Sequence, residues 1–492
     1  MKTCLGIDIG TTAIKIVLLD QDGIFLCSWS REHDLLSPAP GYAEEDPNIW
    51  EENLFALLRT AAKEIDVSAI AAAIGLTGMV PALIPLNGHC RPLFNSIQQN
   101  DIRAASEIEE LKEKIDGLWF FRKTGNQVNQ QHIFPKILWL KRHRKTVFLS
   151  MKYIIGSYDY AGYLLTGNLY IERNWALESG MYSLREERWL PEILELAEIG
   201  PEMLPPLIGY EDCRGTLTRT AAERSGLHSG IPVYAGTADH IASGFAVGAG
   251  KSGDLVFKLG GAADILLSSG KALTDPRLFI DYGCSREAPF VINGCTASSG
   301  SILKWAKEEF NLPDFTVMDT HAHSIAPCSE GLTVLPYFLG EKTPLFDMAA
   351  RGVFFGLSLS HGAAHIYRAI LEAIAYSLNH HIEIFRELNL PINRIFITNG
   401  GSKSKLWRQI VADVTGFDLR YVGNNQGSSA GAALLAGMAA GITNTEMRLN
   451  GEEIPVIHDP VRHEQYLHGY AKYRNLYENL REFFPLLCIV KS

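Results

Sequence analysis

Three short segments with glycine combine side chains that could bind a phosphate group and activate a hydroxyl group. The segments are Asp8-Ile-Gly-Thr-Thr12, Gly236-Thr-Ala-Asp-His240 and Asn399-Gly-Gly-Ser402. A glycine at a turn lets backbone amides approach an anion closely, and neighbouring hydroxyl groups can bind phosphate oxygens. Together the segments indicate a phosphate or nucleotide site, although each one also has a purely structural interpretation.

The first segment joins two β-rich runs, so Gly10 is expected at the tip of a hairpin. Asp8 could hold Mg²⁺, which favours a carboxylate combined with waters and substrate phosphates. Thr11 and Thr12 supply hydroxyl groups beside the tip, and Lys15 lies on the following strand. The alternative interpretation is an ordinary hairpin turn, because turns commonly contain glycine.

Asp239 stands at the predicted start of a helix rich in small residues, directly after the predicted strand Val233–Gly236. A helix N-terminus stabilises a carboxylate and keeps its pKa low. Such a general base suits phosphoryl transfer, in which positioning and charge stabilisation do most of the work. The alternative is that Asp239 only caps the helix, since Asp is a favoured N-cap. His240 is assigned no role.

The third segment forms a sharp turn between a predicted strand, Arg394–Thr398, and a predicted helix, Leu406–Thr415. Its glycine pair leaves bare backbone on which a flat ring or a phosphate can lie. The alternative is a tight loop between a strand and a helix, which often needs glycine for its own geometry.

The elements around these segments fall into two halves of similar topology. The first half opens with a hairpin over residues 5–20 and a third strand after Gln21-Asp22-Gly23. The second half follows a boundary at residues 248–253 and opens with a hairpin over residues 254–267, whose tip is Gly260-Gly261. The other predicted strands cover residues 69–76 and 82–86, and the other predicted helices cover residues 48–63, 101–116, 134–143, 363–388 and 466–484.

Length and composition are those of a globular protein of several domains. The chain has 492 residues, of which 47% are hydrophobic and 20% are charged. These values argue against a disordered chain and against a small disulfide-stapled scaffold. The 45 basic residues against 55 acidic ones give a net charge of −10. Nucleic acid is therefore not an expected partner, because phosphate contacts need clustered cations.

The location expected for the chain is the cytoplasm. Its eight cysteines are scattered without a CxxC pair, which suits a reducing compartment. Asp8 interrupts any signal-peptide core at the N-terminus. Two uncharged stretches, residues 67–86 and 423–445, could mimic membrane spans. Prolines and glycines break the first, and Ala, Gly and Ser make up much of the second, so no membrane insertion is expected.

Several motifs resemble those of the FGGY family of carbohydrate kinases, within the sugar kinase, actin and Hsp70 ATPase superfamily. Gly352-Val-Phe-Phe-Gly-Leu357, then seven residues, then His365-Ile-Tyr-Arg-Ala-Ile-Leu-Glu372 fits the C-terminal family signature. Residues 136–143 match the second half of the N-terminal signature, whose first half departs at Ile133, where Pro, Ser or Thr is usual. Residues 399–410 are similar to the adenosine loop of the family. The resemblance covers roughly residues 5–441.

The resemblance implies an α/β fold of two ribonuclease-H-like (actin-like ATPase) domains with a catalytic cleft between them. Residues 1–248 would form the N-terminal domain, with the sugar site and the catalytic base. Residues 249–445 would form the nucleotide-binding C-terminal domain, and residues 446–492 a helical tail packing on the body. Closure of the cleft would expel water, which otherwise competes with the sugar.

The resemblance also implies ATP and Mg²⁺ as cofactors and assigns residues to them. Asp239 would accept the proton of the sugar hydroxyl, and Asp8 would help to hold Mg²⁺. Gly261 stands where the family usually has Thr, so a hydroxyl contact is lost while the backbone amides remain. The residues expected at the nucleotide are Gly10, Thr11, Thr12, Lys15, Gly260, Gly261, Gly300, Lys304, Gly400, Gly401 and Ser402.

The expected sugar contacts are Asp239 together with Thr77, Met79, Asn100 and Asp101. Val80-Pro81 takes the place of the Arg-Glu pair of glycerol kinases and of the Met-His pair of xylulokinases, so both assignments lose a contact. The amide-rich stretch of residues 126–132 suits a neutral polyol or ketose better than a sugar acid. The alternative for this stretch is a solvated surface loop.

The leading hypothesis is phosphorylation of a small sugar, most simply a ketopentose such as xylulose. Glycerol, erythritol, ribulose and gluconate are alternative acceptors. Two other classes stay open: an actin- or Hsp70-like ATPase acting on protein partners, and a sugar-binding relative without phosphate transfer. A homodimer is compatible with the resemblance.

Overall fold

Two large β-sheets, one in each half of the chain, organise the fold. The computed structural model describes residues 2–65, 72–423, 425–443 and 453–487. The strands are β1 (Thr3–Ile9), β2 (Ala13–Asp20), β3 (Phe25–Glu32), β4 (Glu44–Glu45), β5 (Ala73–Gly78), β6 (Ile84–Leu86), β7 (Ser96–Ile97), β8 (Tyr153–Ile155), β9 (Ile171–Glu172), β10 (Tyr182–Ser183), β11 (Arg188–Trp189), β12 (Leu207–Ile208), β13 (Cys213–Thr216), β14 (Pro232–Ala238), β15 (Asp254–Leu259), β16 (Ala263–Ser269), β17 (Phe279–Tyr282), β18 (Phe290–Cys295), β19 (Thr333–Leu335), β20 (Val353–Phe355), β21 (Arg394–Thr398), β22 (Leu419–Val422) and β23 (Glu453–Val456).

Helices lie between the strands in both halves, which makes the fold α/β as expected. The helices are α1 (Pro47–Glu64), α2 (Ala105–Lys114), α3 (Gly117–Thr124), α4 (Ile133–His143), α5 (Lys145–Ser150), α6 (Ser157–Thr166), α7 (Arg173–Glu178), α8 (Pro191–Ala197), α9 (Arg219–Ser225), α10 (Asp239–Ala246), α11 (Gly300–Glu309), α12 (Phe315–His323), α13 (Ala363–Glu387), α14 (Lys405–Thr415), α15 (Ser428–Ala439) and α16 (Pro460–Leu480).

The two large sheets share one central arrangement. In the first sheet, ordered β13-β14-β5-β1-β2-β3, strand β1 is antiparallel to β2 and parallel to β5. In the second, ordered β17-β18-β16-β15-β21-β22-β23, strand β15 is antiparallel to β16 and parallel to β21. The expectation of two halves with similar topology is confirmed. We call the elements up to β14 the first lobe, and the second sheet with α11–α14 and α16 the second lobe.

Helices α10 and α15 lie at the junction of the lobes and contact each other. Helix α15 follows the second sheet in the chain but packs on β1 and β5 of the first. Glycines make this close approach possible. A Cβ atom on Gly6 would lie 1.8 Å from the Ser429 carbonyl oxygen, and one on Gly75 would lie 2.0 Å from that of Ala432. Because such distances are far inside van der Waals contact, the first sheet accepts the helix only where it lacks side chains.

The tail helix α16 packs on the second lobe through a row of buried tyrosines. Tyr466 donates a hydrogen bond to Glu372 of α13 at 2.9 Å. The hydroxyl groups of Tyr337 and Tyr473 form a hydrogen bond of 2.7 Å. Glu372 also pairs with Arg368, at 2.8 Å. The buried carboxylate in the family's C-terminal signature is thus paired and hydrogen-bonded, as buried charges must be.

Most predicted elements are present, with shifted ends. The glycine-tipped hairpins and the third strand are confirmed. The helix expected over 101–116 begins only at Ala105, because the Asp101 carboxylate accepts from the Arg103 backbone and holds a turn there. The tail helix begins earlier than expected, at Pro460, after an Asp459 N-cap. Residues 69–71 of the strand expected over 69–76, and the expected boundary at 445–446, lie outside the described residues.

Across the described ranges, every helix is too short or too polar to cross a membrane. The two uncharged stretches have other structures: the first contributes β5 and β6, and the second contributes α15. Residues 67–71, 424, 444 and 445 of these stretches lie outside the described part of the chain.

Candidate active site

A cavity of 480 Å³ lies between the lobes and is lined by residues from both sides. The first lobe and α10 contribute Thr11, Thr12, Val80, Gln99, Asn126, Asn129, Gln131, His132, Glu178, Asp239 and His240. The second lobe contributes Lys258, Gly260, Gly261, Ala262, Asp264, Phe279, Asp281, Asn293, Cys295, Lys342 and Asn399. Five of the residues predicted at the site therefore share one cavity: Thr11, Thr12, Asp239, Gly260 and Gly261.

Asp239 is the first residue of α10 and does not act as its N-cap. The capping position is Ala238, and no side chain caps the helix. The Asp239 carboxylate instead lies 3.6 Å from the ammonium group of Lys258 and 3.5 Å from Nδ1 of His240. Burial tends to raise the pKa of Asp239, but Lys258 and His240 outweigh it and hold that pKa below its ordinary value. Asp239 is therefore an anion that faces the cleft.

Lys258 joins Asp239 to the second glycine hairpin. It lies on β15 directly opposite Asp264 of β16, and its Nζ is 3.2 Å from the Asp264 carboxylate. Burial tends to lower the pKa of Lys258, but the two carboxylates raise it above its ordinary value. Lys258 was not predicted as a site residue, although the strand pattern of the sequence carries a signal for it. Alternation along β15 places Lys258 on the face opposite the buried Leu255, Phe257 and Leu259.

A second charged cluster lies beside Asp239. His240 Nε2 is 3.1 Å from Asp281, which also accepts a hydrogen bond from Asn293. Burial tends to lower the pKa of His240, yet Asp239, Asp281 and Glu178 hold it well above its ordinary value. Burial and the charge of Asp281 raise the pKa of Glu178 well above its usual range. These surroundings therefore favour the protonated form of both His240 and Glu178.

His240 and its partners were not predicted as site residues. Ligand atoms of Glu178, His240 and Asp281 all lie within 4.8 Å of one another, a spacing that would also suit a metal ion. A metal ion there would require His240 and Glu178 to lose their protons, whereas the raised pKa values of both groups favour keeping them. Hydrogen bonding to polar groups in the cavity is the better interpretation of this cluster.

Asp8 lies at the end of β1, where α15 begins. Its Oδ2 accepts a 2.5 Å hydrogen bond from the Ser428 hydroxyl, whereas its buried Oδ1 has no hydrogen-bond partner among the described residues. Burial, together with the negative charge of Asp239, raises the pKa of Asp8 to about 6. An unpartnered carboxylate oxygen fits Mg²⁺, which binds through few protein ligands. Lys15, on the following strand, does not line the cavity, and its ammonium group donates a hydrogen bond to Gln426 Oε1 at 2.9 Å.

The second glycine hairpin is tied to the start of α11. The backbone amide of Ser299 donates to the Gly261 carbonyl at 2.7 Å, and that of Gly300 donates to the Gly260 carbonyl at 2.9 Å. A Cβ atom at Gly261 would meet nothing within 4 Å, so this position is open toward the cleft. Lys304, on the same helix, is exposed and does not line the cavity.

The loop after β21 forms a short 3-10 turn, Gly400–Lys403, before α14 begins. The Ser402 hydroxyl donates to the Asn399 carbonyl at 2.6 Å, which holds the turn closed. A Cβ atom at Gly400 would meet nothing, whereas one at Gly401 would lie 2.5 Å from the ring of Trp407. Gly400 thus presents bare backbone, and Gly401 is required for packing.

Amide side chains line one part of the cavity, which we call the amide end. Asn126 Oδ1 is buried without a hydrogen-bond partner among the described residues. Gln131 donates to Gln99 at 2.8 Å, and Asn129 Nδ2 lies 3.3 Å from Nε2 of His132. Four residues of the amide-rich stretch, Asn126, Asn129, Gln131 and His132, line the cavity, so the alternative of a wholly solvated loop is wrong.

The buried side chain of Lys136 hydrogen-bonds to backbone carbonyl groups at the amide end of the cavity. Lys136 Nζ donates to the carbonyl oxygens of Gln98, Gln99 and Gln131, at 2.7, 3.4 and 3.3 Å. Burial lowers the pKa of Lys136 to about 7. Burial, with the charge of Lys136, lowers the pKa of His132 to about 3, so this imidazole is neutral. The amide end therefore offers neutral hydrogen-bonding groups.

Four residues expected to contact the sugar do not line this cavity. Thr77 is buried, and its hydroxyl donates to the Thr237 carbonyl at 2.6 Å. Met79 is buried, Asn100 is exposed, and Asp101 pairs with Arg103. In this region the cavity is lined by the neighbouring Val80 and Gln99.

Known protein families match the chain over most of its length. Residues 3–246 match the N-terminal domain of the FGGY family of carbohydrate kinases, and residues 281–440 match its C-terminal domain. A xylulose kinase of Staphylococcus xylosus is 30% identical over 448 residues, which cover 90% of this chain and 92% of that protein.

Solved structures match the whole fold. A xylulose kinase from Rhodospirillum rubrum is 37% identical, with a TM-score of 0.91, and the match covers 98% of this chain and 100% of that one. A gluconate kinase from Lactobacillus acidophilus is 25% identical, with a TM-score of 0.91, and the match covers 99% of this chain and 100% of that one.

Proposed function

We propose that this chain, which belongs to the FGGY family of carbohydrate kinases, phosphorylates a ketopentose such as xylulose, using ATP and Mg²⁺ and Asp239 as the general base. The observation that carries the proposal is the cavity itself. An ionised aspartate lines the cleft between the lobes together with residues of both glycine hairpins, so an acceptor hydroxyl and a nucleotide can meet there.

The proposed chemistry is transfer of the terminal phosphoryl group of ATP to a sugar hydroxyl. The bond between the γ-phosphorus and the β,γ-bridging oxygen breaks, and its electron pair stays with ADP. The hydroxyl oxygen forms the new bond to the γ-phosphorus, and its proton passes to Asp239. A weakly basic carboxylate suffices, because the transition state is loose and depends mainly on positioning and charge stabilisation.

Backbone and side-chain groups around the cleft would position the phosphates. Gly260, Gly261, Thr11 and Thr12 line the cavity, and Gly261 leaves its backbone open there. Asp8 would hold Mg²⁺ through its unpartnered Oδ1. When bound, Mg²⁺ neutralises part of the phosphate charge. We assign residues 1–248 to the sugar and the base, residues 249–445 to the nucleotide and residues 446–492 to the tail.

A neutral sugar is proposed because the amide end of the cavity offers uncharged donors and acceptors. Asn126, Asn129, Gln99 and neutral His132 can bind hydroxyl groups without favouring a carboxylate. The names of the most similar relatives support a ketopentose. Gluconate is the alternative, because a gluconate kinase shares the fold at 25% identity.

The test is a coupled assay that measures ADP release with xylulose, ribulose, glycerol, erythritol and gluconate at matched concentrations. We expect the highest kcat/KM with a ketopentose and no ADP release without sugar. A preference for gluconate would overturn the neutral-sugar assignment. Sugar-independent ATP hydrolysis would instead favour an actin-like ATPase, and sugar binding without ADP release would favour a silent relative. Light scattering on the same sample tests the proposed homodimer.

A further inference from the structure

Lys258 lies on the second glycine hairpin and contacts Asp239, the proposed general base. Its Nζ lies 3.6 Å from the carboxylate of Asp239 and 3.2 Å from that of Asp264. Its side chain is only 15% exposed and lines the cavity. In the chain, Lys258 comes two residues before the glycine pair at the hairpin tip. The lysine therefore stands between the acceptor side of the cleft and the glycine loop.

The tip of the glycine hairpin supplies no charge. Gly260 and Gly261 carry no side chains, and Ala262 follows them. Phosphoryl transfer needs cationic groups near the equatorial oxygens of the transferred group, where charge is spread in the transition state. Lys258 projects into the cavity from this hairpin, and the cross-strand partner Asp264 orients it.

The contact with Asp239 is long and can be exchanged. At 3.6 Å it is an ion pair without hydrogen-bond geometry, whereas the contact to Asp264 is shorter. A terminal phosphate in the cleft would offer three charged oxygens in place of one distant carboxylate. Lys258 can reach such a group while it keeps its contact with Asp264, because an ammonium group donates three hydrogen bonds.

We propose that Lys258 binds the terminal phosphate of ATP, exchanging its contact with Asp239 for one with the phosphoryl group. This inference rests on the proposed use of ATP at the same cleft. Lys258 stays protonated throughout, and the hydroxyl proton still passes to Asp239. Loss of the neighbouring cation makes the Asp239 carboxylate a stronger proton acceptor, so the base is strengthened only when ATP is in place.

The experiment compares two nucleotides by calorimetry in the presence of Mg²⁺ and without sugar. β,γ-Imido-ATP carries the terminal phosphate, and ADP lacks it. We expect Lys258→Gln to weaken β,γ-imido-ATP binding by about 10- to 100-fold, the range for hydrogen bonds to charged groups, and ADP binding by less than about twofold. Lys251→Gln makes the same chemical change at an exposed lysine outside the cavity and should alter neither affinity.

Equal weakening of both nucleotides, or no weakening of β,γ-imido-ATP, would overturn the proposal. If Lys258→Gln does not fold, Asp264→Asn provides a second measurement. Because Asp264 orients Lys258, this variant should weaken β,γ-imido-ATP binding relative to ADP, and an unchanged ratio of the two affinities would contradict the assignment. Because no sugar is present, these affinities decide the role of Lys258 even if the sugar panel gives no turnover.

Discussion

The Ser428 hydroxyl donates a 2.5 Å hydrogen bond to Asp8, across 420 positions of the chain. Ser428 begins α15, which reaches the first sheet from the second half of the chain, and Asp8 is the second-last residue of β1. The carboxylate proposed for Mg²⁺ is therefore fixed by the helix at the junction of the lobes. A shift of α15 during cleft closure would alter the environment of Asp8 directly.

Replacing Asp8 by Asn should weaken the response to Mg²⁺ while preserving the fold. Asparagine keeps the shape and can still accept from Ser428, but it loses the negative charge that a hard cation prefers. We expect the Mg²⁺ concentration for half-maximal activity to rise by about tenfold or more, ~1.4 kcal/mol of metal binding. Steady-state assays over a Mg²⁺ titration measure this concentration.

Ser428→Ala is the matched control, since it removes the hydrogen bond and leaves the carboxylate in place. This variant should shift the Mg²⁺ response less than Asp8→Asn does. If the two variants shift it equally, the role of Asp8 is structural and its assignment to the metal is wrong.

Replacing Asp239 by Asn should lower kcat with little effect on sugar affinity. Loss of a positioned general base commonly costs about 10²–10⁴ in rate. Asparagine retains the size of the side chain, and Asp239 does not cap α10, so the fold should persist. Steady-state kinetics give kcat, and calorimetry gives the sugar affinity. Asp22→Asn, at an exposed turn, controls for the substitution itself, and near-normal kcat in Asp239→Asn would refute the base assignment.

Much of the fold could be predicted because its signals are local. Glycine tips and alternating apolar residues specify both hairpins, and apolar periodicity specifies the long helix α13. The position of α15 could not be predicted in this way. Its Ala, Gly and Ser residues fit a helix, but only Gly6 and Gly75 on distant strands show that it packs backbone to backbone on the first sheet.

The site was predicted in part for the same reason. Thr11, Asp239 and Gly260 belong to short motifs, whereas Lys258 and Glu178 acquire their chemistry from partners far along the chain. Lys258 needs Asp239 beside it, and Glu178 needs Asp281 and burial to keep its proton. Tertiary contacts of this kind leave little trace in residue spacing.

Gly75→Ala should destabilise the protein because the added methyl group has no space. Its Cβ would lie 2.0 Å from the Ala432 carbonyl oxygen, so α15 or β5 must move. Overpacking of this kind costs about 1–3 kcal/mol of unfolding free energy. Denaturant unfolding measures the change. Gly88→Ala is the control, since its Cβ would have no atom closer than 3.8 Å, and equal stability of the two variants would contradict the packing argument.

Glu178 should bind the sugar as a neutral acid, and its replacement tests that protonation state. Its Oε1 is buried without a hydrogen-bond partner in the described ranges, and burial with Asp281 raises its pKa well above the usual value. Below that pKa the carboxyl group is protonated and can donate a hydrogen bond. Glu178→Gln keeps a neutral donor and should change the sugar KM by less than about threefold, whereas Glu178→Ala should raise it by about tenfold.

The pH dependence separates this role from a merely structural one. As the pH rises through the raised pKa, Glu178 ionises, and its charge then opposes the neighbouring Asp281 and Asp239. The wild-type KM for the sugar should therefore increase on the alkaline side. Glu178→Gln cannot ionise and should not show that increase. Measuring KM between about pH 6 and 9.5 for both proteins decides the point, because identical pH profiles would mean that Glu178 is ionised or does not contact the sugar.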